Sequence, residues 1–251
     1  MKKLQRWVAM VTVSLATSLG TSFMGNLAAI ALPYEDILEK LLPVPVFTIT
    51  NSEGSPLLAT VNDENNTEQS VAGVFISKAD ADNFVQQLLN QNNPDLTDVQ
   101  VTPVSLAEVY QMEQESQNNP DRAVVFDFVP TQAQVQSALQ VLQNNGESAE
   151  NFSGVPLFLA TGGADNGYLT IQQGGNQIIP LFFQKEQLEN MLSRLGENQP
   201  DLAASVQIQV VNLQGVIKLL RSSEDEQLNQ IVLVPPQDSL AYIRSLQQES
   251  N

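Results

Sequence analysis

Catalysis by this chain would have to come from carboxylates, lysines, tyrosines or hydroxyls, because its 251 residues include no His and no Cys. Ser-His-Asp and Cys-His nucleophilic sites are excluded, as are zinc, copper and haem centres that need His or Cys ligands. Acidic residues group at Asp63-Glu64, Asp80/Asp82 and Glu224-Asp225-Glu226. A glycosidase needs two such carboxylates facing each other across a sugar, one with a raised pKa. Asp80 opens a predicted helix, where capping and the helix dipole already account for an acid. Lys78 and Lys185 stand at matching helix starts, which favours a shared structural role over a nucleophile. Asp63, Asn65 and Thr67 have the alternate spacing of a calcium loop, but Glu68 replaces its glycine and Val74 its last glutamate, so no calcium site is expected. Gly162-Gly163 and Gly174-Gly175 lack the Lys and the following helix of a phosphate loop, and are expected to be hairpin turns. The reading is a protein that is not an enzyme and has no cofactor or metal.

The apolar residues are the remaining candidates. Phe47, Phe75, Phe158, Phe182 and Phe183 come from matching predicted strands of the two halves of the chain. One reading makes them core, since a strand covered on both faces is apolar throughout, as Ile179–Phe183 nearly is. The other makes some of them the lining of client-binding grooves repeated on the two halves, suited to extended apolar segments of other proteins.

The N-terminus bears on where such a protein would work. Lys2, Lys3 and Arg6 precede an apolar stretch from Trp7 to Leu19, then a polar break and the small-residue pattern Ala29-Ile30-Ala31. This is the order of a secretory signal peptide, expected to be cleaved after Ala31; its apolar core is shorter than the roughly 20 residues that span a bilayer. No twin-arginine pair is present, so export is expected to proceed unfolded. The net charge of −17 becomes −20 without the three basic residues of the signal, since no acid lies before Leu32. Such a surface repels phosphate backbones and anionic lipid heads, so neither nucleic-acid binding nor direct membrane insertion is expected. Without disulfides, an exported protein of this size must take its stability from its core. Asn65-Asn66-Thr67 and Asn151-Phe152-Ser153 fit a glycosylation pattern, which the bacterial character of the signal discounts.

The chain then repeats itself. Val44-Pro45-Val46-Phe47 recurs as Val155-Pro156-Leu157-Phe158, and Val74-Phe75-Ile76-Ser77-Lys78 as Leu181-Phe182-Phe183-Gln184-Lys185. Pro94-Asp95-Leu96 matches Pro200-Asp201-Leu202, Val99-Gln100-Val101 matches Val206-Gln207-Ile208, and Val104-Ser105-Leu106 matches Val211-Asn212-Leu213. Order and offset are kept throughout, the signature of an internal repeat. In the first half, strands are predicted at Val44–Thr50, Pro56–Thr60, Gly73–Ile76, Val99–Thr102 and Ala123–Phe128, with helices at Lys78–Asn90, Leu106–Gln114 and Thr131–Gln143. In the second, strands are predicted at Val155–Ala160, Tyr168–Gln172, Ile178–Phe183, Val206–Val210 and Ile231–Val234, with helices at Lys185–Arg194, Leu213–Leu220 and Asp238–Gln248. Ser77/Asp80, Ser105/Glu108 and Thr131/Gln134 have capping-box spacing. The predicted fold is α/β with mixed sheets, a tandem pseudo-two-fold duplication of a β-β-β-α-β-α-β-α unit. Its parts are a signal at 1–31, an amphipathic helix within 32–43, and units at 44–145 and 146–251.

The signal, the paired Val-Pro-[Val/Leu]-Phe strands and the Val-Phe-Ile-Ser-Lys and Leu-Phe-Phe-Gln-Lys junctions resemble the cyanobacterial relatives of the 22 kDa Tic protein, a component of the chloroplast import machinery. The resemblance covers essentially the whole chain after the signal and rests on a pattern of apolar strands, with no catalytic residue to carry over. It implies a two-fold pseudo-symmetric α/β fold with apolar pockets on either side, and a chaperone-like role for proteins crossing the space between two membranes. It implies the periplasm as the compartment, with a thylakoid-lumen pool as a second. Unfolded outer-membrane barrel proteins are the implied clients, and the outer-membrane barrel-assembly insertase the implied partner. Two alternatives stand beside it: a passive adaptor docking on that machinery, and a carboxylate-based hydrolase.

Overall fold

The computed structural model describes residues 32–62, 67–90, 98–119, 123–150, 152–163, 166–223 and 225–249. The signal at 1–31, Asp63 and Asn65 of the calcium-like loop, the Pro94-Asp95-Leu96 match, Asn151 and Glu224 lie outside the described residues.

Every predicted helix and strand forms, most with bounds within a few residues. The first half contains α1 (Tyr34–Leu41), β1 (Pro45–Asn51), β2 (Leu58–Asn62), β3 (Glu68–Phe75), α2 (Lys78–Leu89), β4 (Val99–Ser105), α3 (Leu106–Gln117), β5 (Val124–Val129) and α4 (Gln132–Asn144). The second contains β6 (Pro156–Gly162), β7 (Gly167–Tyr168), β8 (Ile171–Gln173), β9 (Asn176–Phe182), α5 (Lys185–Asn198), α6 (Pro200–Ala204), β10 (Gln207–Asn212), α7 (Leu213–Ser222), a 3-10 turn at Glu226–Gln230, β11 (Ile231–Val234) and α8 (Gln237–Glu249). The strand predicted at Tyr168–Gln172 is divided into β7 and β8, because it changes partner midway from β6 to β9. Gly174 and Gly175, both at positive φ, make the β8–β9 turn that Cβ-bearing residues would strain.

Two sheets result, with matching registers. In the first, β3 pairs β5 in parallel along one edge and β2 and β1 antiparallel along the other, and β4 lies beyond β1. In the second, β9 pairs β11 in parallel and β8 and β6 antiparallel, and β10 lies beyond β6. Phe47 opposes Phe75 as Phe158 opposes Phe182. The Leu106 N–H donates to the Val44 carbonyl at 2.8 Å, and the Leu213 N–H to the Val155 carbonyl at 2.9 Å.

The helices cross between the halves. The last helix of the first half, α4, packs on β6 and β10 of the second sheet, while α8 packs on β1 of the first. Residues of β1 and β6 therefore alternate between two buried environments. Val46, Val74, Phe128, Leu157, Leu181 and Leu233 enter a central core that both sheets share with α1, α3 and α7. On α7, Leu213, Val216, Ile217 and Leu220 all face it, the spacing of one helical face. Phe47, Ile49 and Phe75 face an outer core with α2 and Tyr242 of α8; Phe158, Ala160 and Phe182 face the corresponding core with α4 and α5. On α2 the buried pair is Ala81 and Val85, while Phe84 and Leu89 are about two-fifths exposed.

Buried polar contacts hold the crossed helices. Thr131 forms no side-chain cap on α4: the Gln134 N–H donates to the Thr131 carbonyl at 3.1 Å, and the Gln134 side chain points to the other half. Gln134 accepts the Lys185 N–H at 2.9 Å and donates to Glu186 at 2.8 Å, at the first turn of α5. At the corresponding place on α8, the Ser239 hydroxyl donates to the Ile76 carbonyl at 3.2 Å. Ser105/Glu108 is a complete capping box; at Ser77 the hydroxyl accepts from the Asp80 N–H, but Asp80 does not complete the box.

Candidate functional site

The five phenylalanines singled out from sequence are all inside the protein. Phe47 and Phe158 are fully buried, and Phe75, Phe182 and Phe183 are 4%, 6% and 2% exposed. The structure brings Phe47 together with Phe75 in one outer core and Phe158 with Phe182 in the other, and sends Phe183 into the central core. Their faces are covered by helices, so in this arrangement they hold the layers together and line no open groove.

An open apolar groove lies elsewhere, at the end of the first sheet. Its floor is the start of β1 and the end of β4, at Pro45, Pro103 and Val104. Leu42 and Pro43, which join α1 to β1, form one wall; Leu240 and Ile243, one turn apart on α8, form the other. The groove has a volume of about 360 Å³, at the small end of ligand clefts. Pro43, Pro45 and Pro103 have no N–H to offer, so much of the lining backbone presents carbon to the opening. Among the described residues, Leu42 is the most exposed of the large apolar side chains, at 63%. One charged residue reaches the lining, Glu108. Its carboxylate accepts from the Ser105 N–H at 2.6 Å and the Ser105 hydroxyl at 2.9 Å, so the capping box of α3 also fixes that rim. The neighbouring strand β4 pairs with β1 and ends the sheet's strand order, leaving an edge of the kind that accepts an added strand.

The chemically suggestive groups have structural roles. Lys78 pairs with Asp82 at 2.7 Å and Lys185 with Glu189 at 2.6 Å, matched contacts one turn along α2 and α5. Burial, and then the charge of Asp238, raise the pKa of Asp80. One Asp80 oxygen is buried without a partner, and Asp238 accepts from Gln184 at 3.2 Å. The two acids stand at the starts of α2 and α8, and neither lines the groove. Lys40 donates to the carbonyls of Asn229 and Ile231 at 2.8 and 3.0 Å, tying α1 to the second half; its pKa is lowered by burial, against the opposing charges of Asp36 and Glu39. Among the described residues, no three His, Cys, Asp or Glu side chains are grouped to hold a metal, and no helix is long and apolar enough to cross a membrane.

Fold and groove can now be set beside known proteins. The Tic22-like family matches residues 3–246. The chain belongs to that family. The solved structure of Tic22 from Anabaena, a protein-transport protein, superposes with a TM-score of 0.75 at 31% identity, over 85% of this chain and 97% of that one. Tic22 from Plasmodium falciparum superposes with a TM-score of 0.67 at 25% identity, over 86% of this chain and 99% of that one. No curated protein matches the chain significantly. The mixed α/β architecture is that of the Tic22 fold.

Agreement between the halves does not reveal the groove. Pro45 and Val104 of its lining match Pro156 and Val211, but Pro103 stands opposite Val210, Glu108 opposite Gly215, and Ile243 opposite Ala138.

Proposed function

We propose that this Tic22-family protein is a protein-transport factor that holds extended apolar segments of client proteins, and that the groove between α1, α3, β4 and α8 is where it holds them. The open apolar groove beside an edge strand carries this reading. An extended segment can place an apolar side chain against Leu42, Leu240 and Ile243 while its backbone runs along β4. The net charge of −17 keeps the carrier soluble and opposes aggregation of what it carries. Anabaena Tic22 is a protein-transport protein; the export signal expected at the N-terminus supports the periplasm as compartment, and the clients we propose are outer-membrane barrel proteins. The protein then acts without catalysis or cofactor. Graded amounts of purified protein added to a barrel protein diluted from urea should suppress light scattering near equal stoichiometry. Leu42→Ser, at an exposed position, should weaken that suppression; a protein without effect on scattering would refute the reading.

A second reading, an adaptor docked on the outer-membrane barrel-assembly insertase, is favoured by a different surface. Ala59 and Val61 of β2 and Val125 of β5 lie on one face of the first sheet beyond its helices, with Val61 and Val125 each 44% exposed. Capture of the purified insertase, lost on Val125→Ser and kept on Leu42→Ser, would assign that role to this face.

A further inference from the structure

The second half of the molecule contains its own answer to what the groove accepts. The segment that enters β6, Phe152-Ser153-Gly154-Val155, matches the segment Leu41-Leu42-Pro43-Val44 that enters β1. In the first half, Leu41 turns into the central core and is fully buried there. In the second, Phe152 turns the other way and packs against the outer core of Ala138, Val141 and Phe158, where Val210 also packs. Ala138 matches Ile243 and Val210 matches Pro103, so Phe152 packs on the core to which the counterparts of two lining residues belong. The connector fits closely. Gly154 has a φ of +84°, and a Cβ there would meet the Gln214 side chain at 2.7 Å. The second half thus seats an aromatic side chain of its own connector on the core that corresponds to the groove's end of the first.

We infer that the first-half groove takes an extended segment of another polypeptide in which one aromatic side chain is followed by two small residues, one segment per molecule. This rests on the reading of the groove as a client site and names the client chemistry. The volume of about 360 Å³ leaves room for one aromatic ring and the short stretch of backbone that carries it. Charge selects the flanks of the segment. With Glu108 in the lining and a net charge of −17 on the protein, basic residues ahead of the aromatic are attracted and acidic ones repelled.

The test is fluorescence polarisation with a labelled peptide, Lys-Lys-Asn-Phe-Ser-Gly-Val-Pro, titrated with purified protein, beside the same peptide with Ala in place of Phe. One saturable site is expected, weakened about tenfold or more by the Ala peptide, as for loss of an aromatic anchor. Ile243→Ser should weaken the Phe peptide and leave the Ala peptide unchanged. Phe152→Ala should vacate the second site and raise the stoichiometry from one to two. If that variant loses its fold by circular dichroism, the peptide pair and Ile243→Ser decide alone. Equal binding of the two peptides, or a titration untouched by Ile243→Ser, overturns the inference. Should scattering of the barrel protein still be suppressed in that case, client holding stands and the aromatic preference falls. Loss of both sinks both.

Discussion

The two sheets share strand order, register and helix placement, yet the first ends in an open groove, while in the second the connector lays Phe152 on the outer core. Where the halves agree, the residues hold the fold. Phe47 and Phe158 occupy the same place in the two outer cores, and Lys78 and Lys185 make the same ion pair one turn on. Where they disagree, the surface changes: Pro103, Glu108 and Ile243 line the groove, and Val210, Gly215 and Ala138 stand at the closed end. The site combines the two: Pro45 and Val104 of its lining match Pro156 and Val211, while Pro103, Glu108 and Ile243 have no like counterpart.

The largest effect should fall on matched core positions. Phe47→Ala and Phe158→Ala should each cost about 3–5 kcal/mol, the range for emptying a packed aromatic site, measured by urea unfolding. A loss confined to one of them would break the equivalence of the two outer cores. A smaller difference should separate the buried polar pair. Gln134→Ala removes two hydrogen bonds and leaves the Lys185 N–H without a partner, for about 1–3 kcal/mol. Ser239→Ala removes one longer bond and should cost about 1 kcal/mol or less. The reverse order would mean that α8, and not α4, is the firmer cross-link. The caps should be closer still: Ser105→Ala and Asn212→Ala remove side-chain acceptors from the Glu108 and Gly215 N–H groups, each worth about 1 kcal/mol.

Asp80 should give the smallest effect and the opposite sign. Burial and Asp238 raise its pKa in the folded protein, so the native state binds the proton more tightly than the unfolded chain does. Its contribution to stability therefore falls as pH rises from the unfolded value, about 3.9, through the raised native value. The matching residue of the second half is Gln187, already neutral. Asp80→Asn should raise the thermal midpoint at pH 7, with the gain vanishing below about pH 4. A midpoint lowered at pH 7 would show that the helix dipole outweighs burial at this site.

Much of this architecture was legible from local pattern. The nearly continuous apolar run Ile179–Phe183 read correctly as a strand covered on both faces, and Ser105/Glu108 read correctly as a capping box. The crossing of α4 and α8 was not legible, because an apolar helix face requires a cover without saying which sheet provides it. Gln134 shows the same limit: its spacing from Thr131 satisfies a local rule, but a partner 51 residues away wins. Phe47 and Phe158 have the composition of a binding strand or a core strand alike, and the helices laid over them make the difference. The groove depends on three distant segments, at Leu42–Pro45, Pro103–Glu108 and Leu240–Ile243, that no local window contains.

On the proposed function, the groove end of the first sheet, and not the matching cores, holds clients. Scattering of a urea-diluted barrel protein should be measured with the unaltered protein, with Ile243→Ser in the groove, and with Val135→Ser, the position in α4 that matches Leu240. Suppression lost in Ile243→Ser and kept in Val135→Ser, with both variants folded by circular dichroism, is the predicted result. Equal suppression by all three proteins would contradict the account.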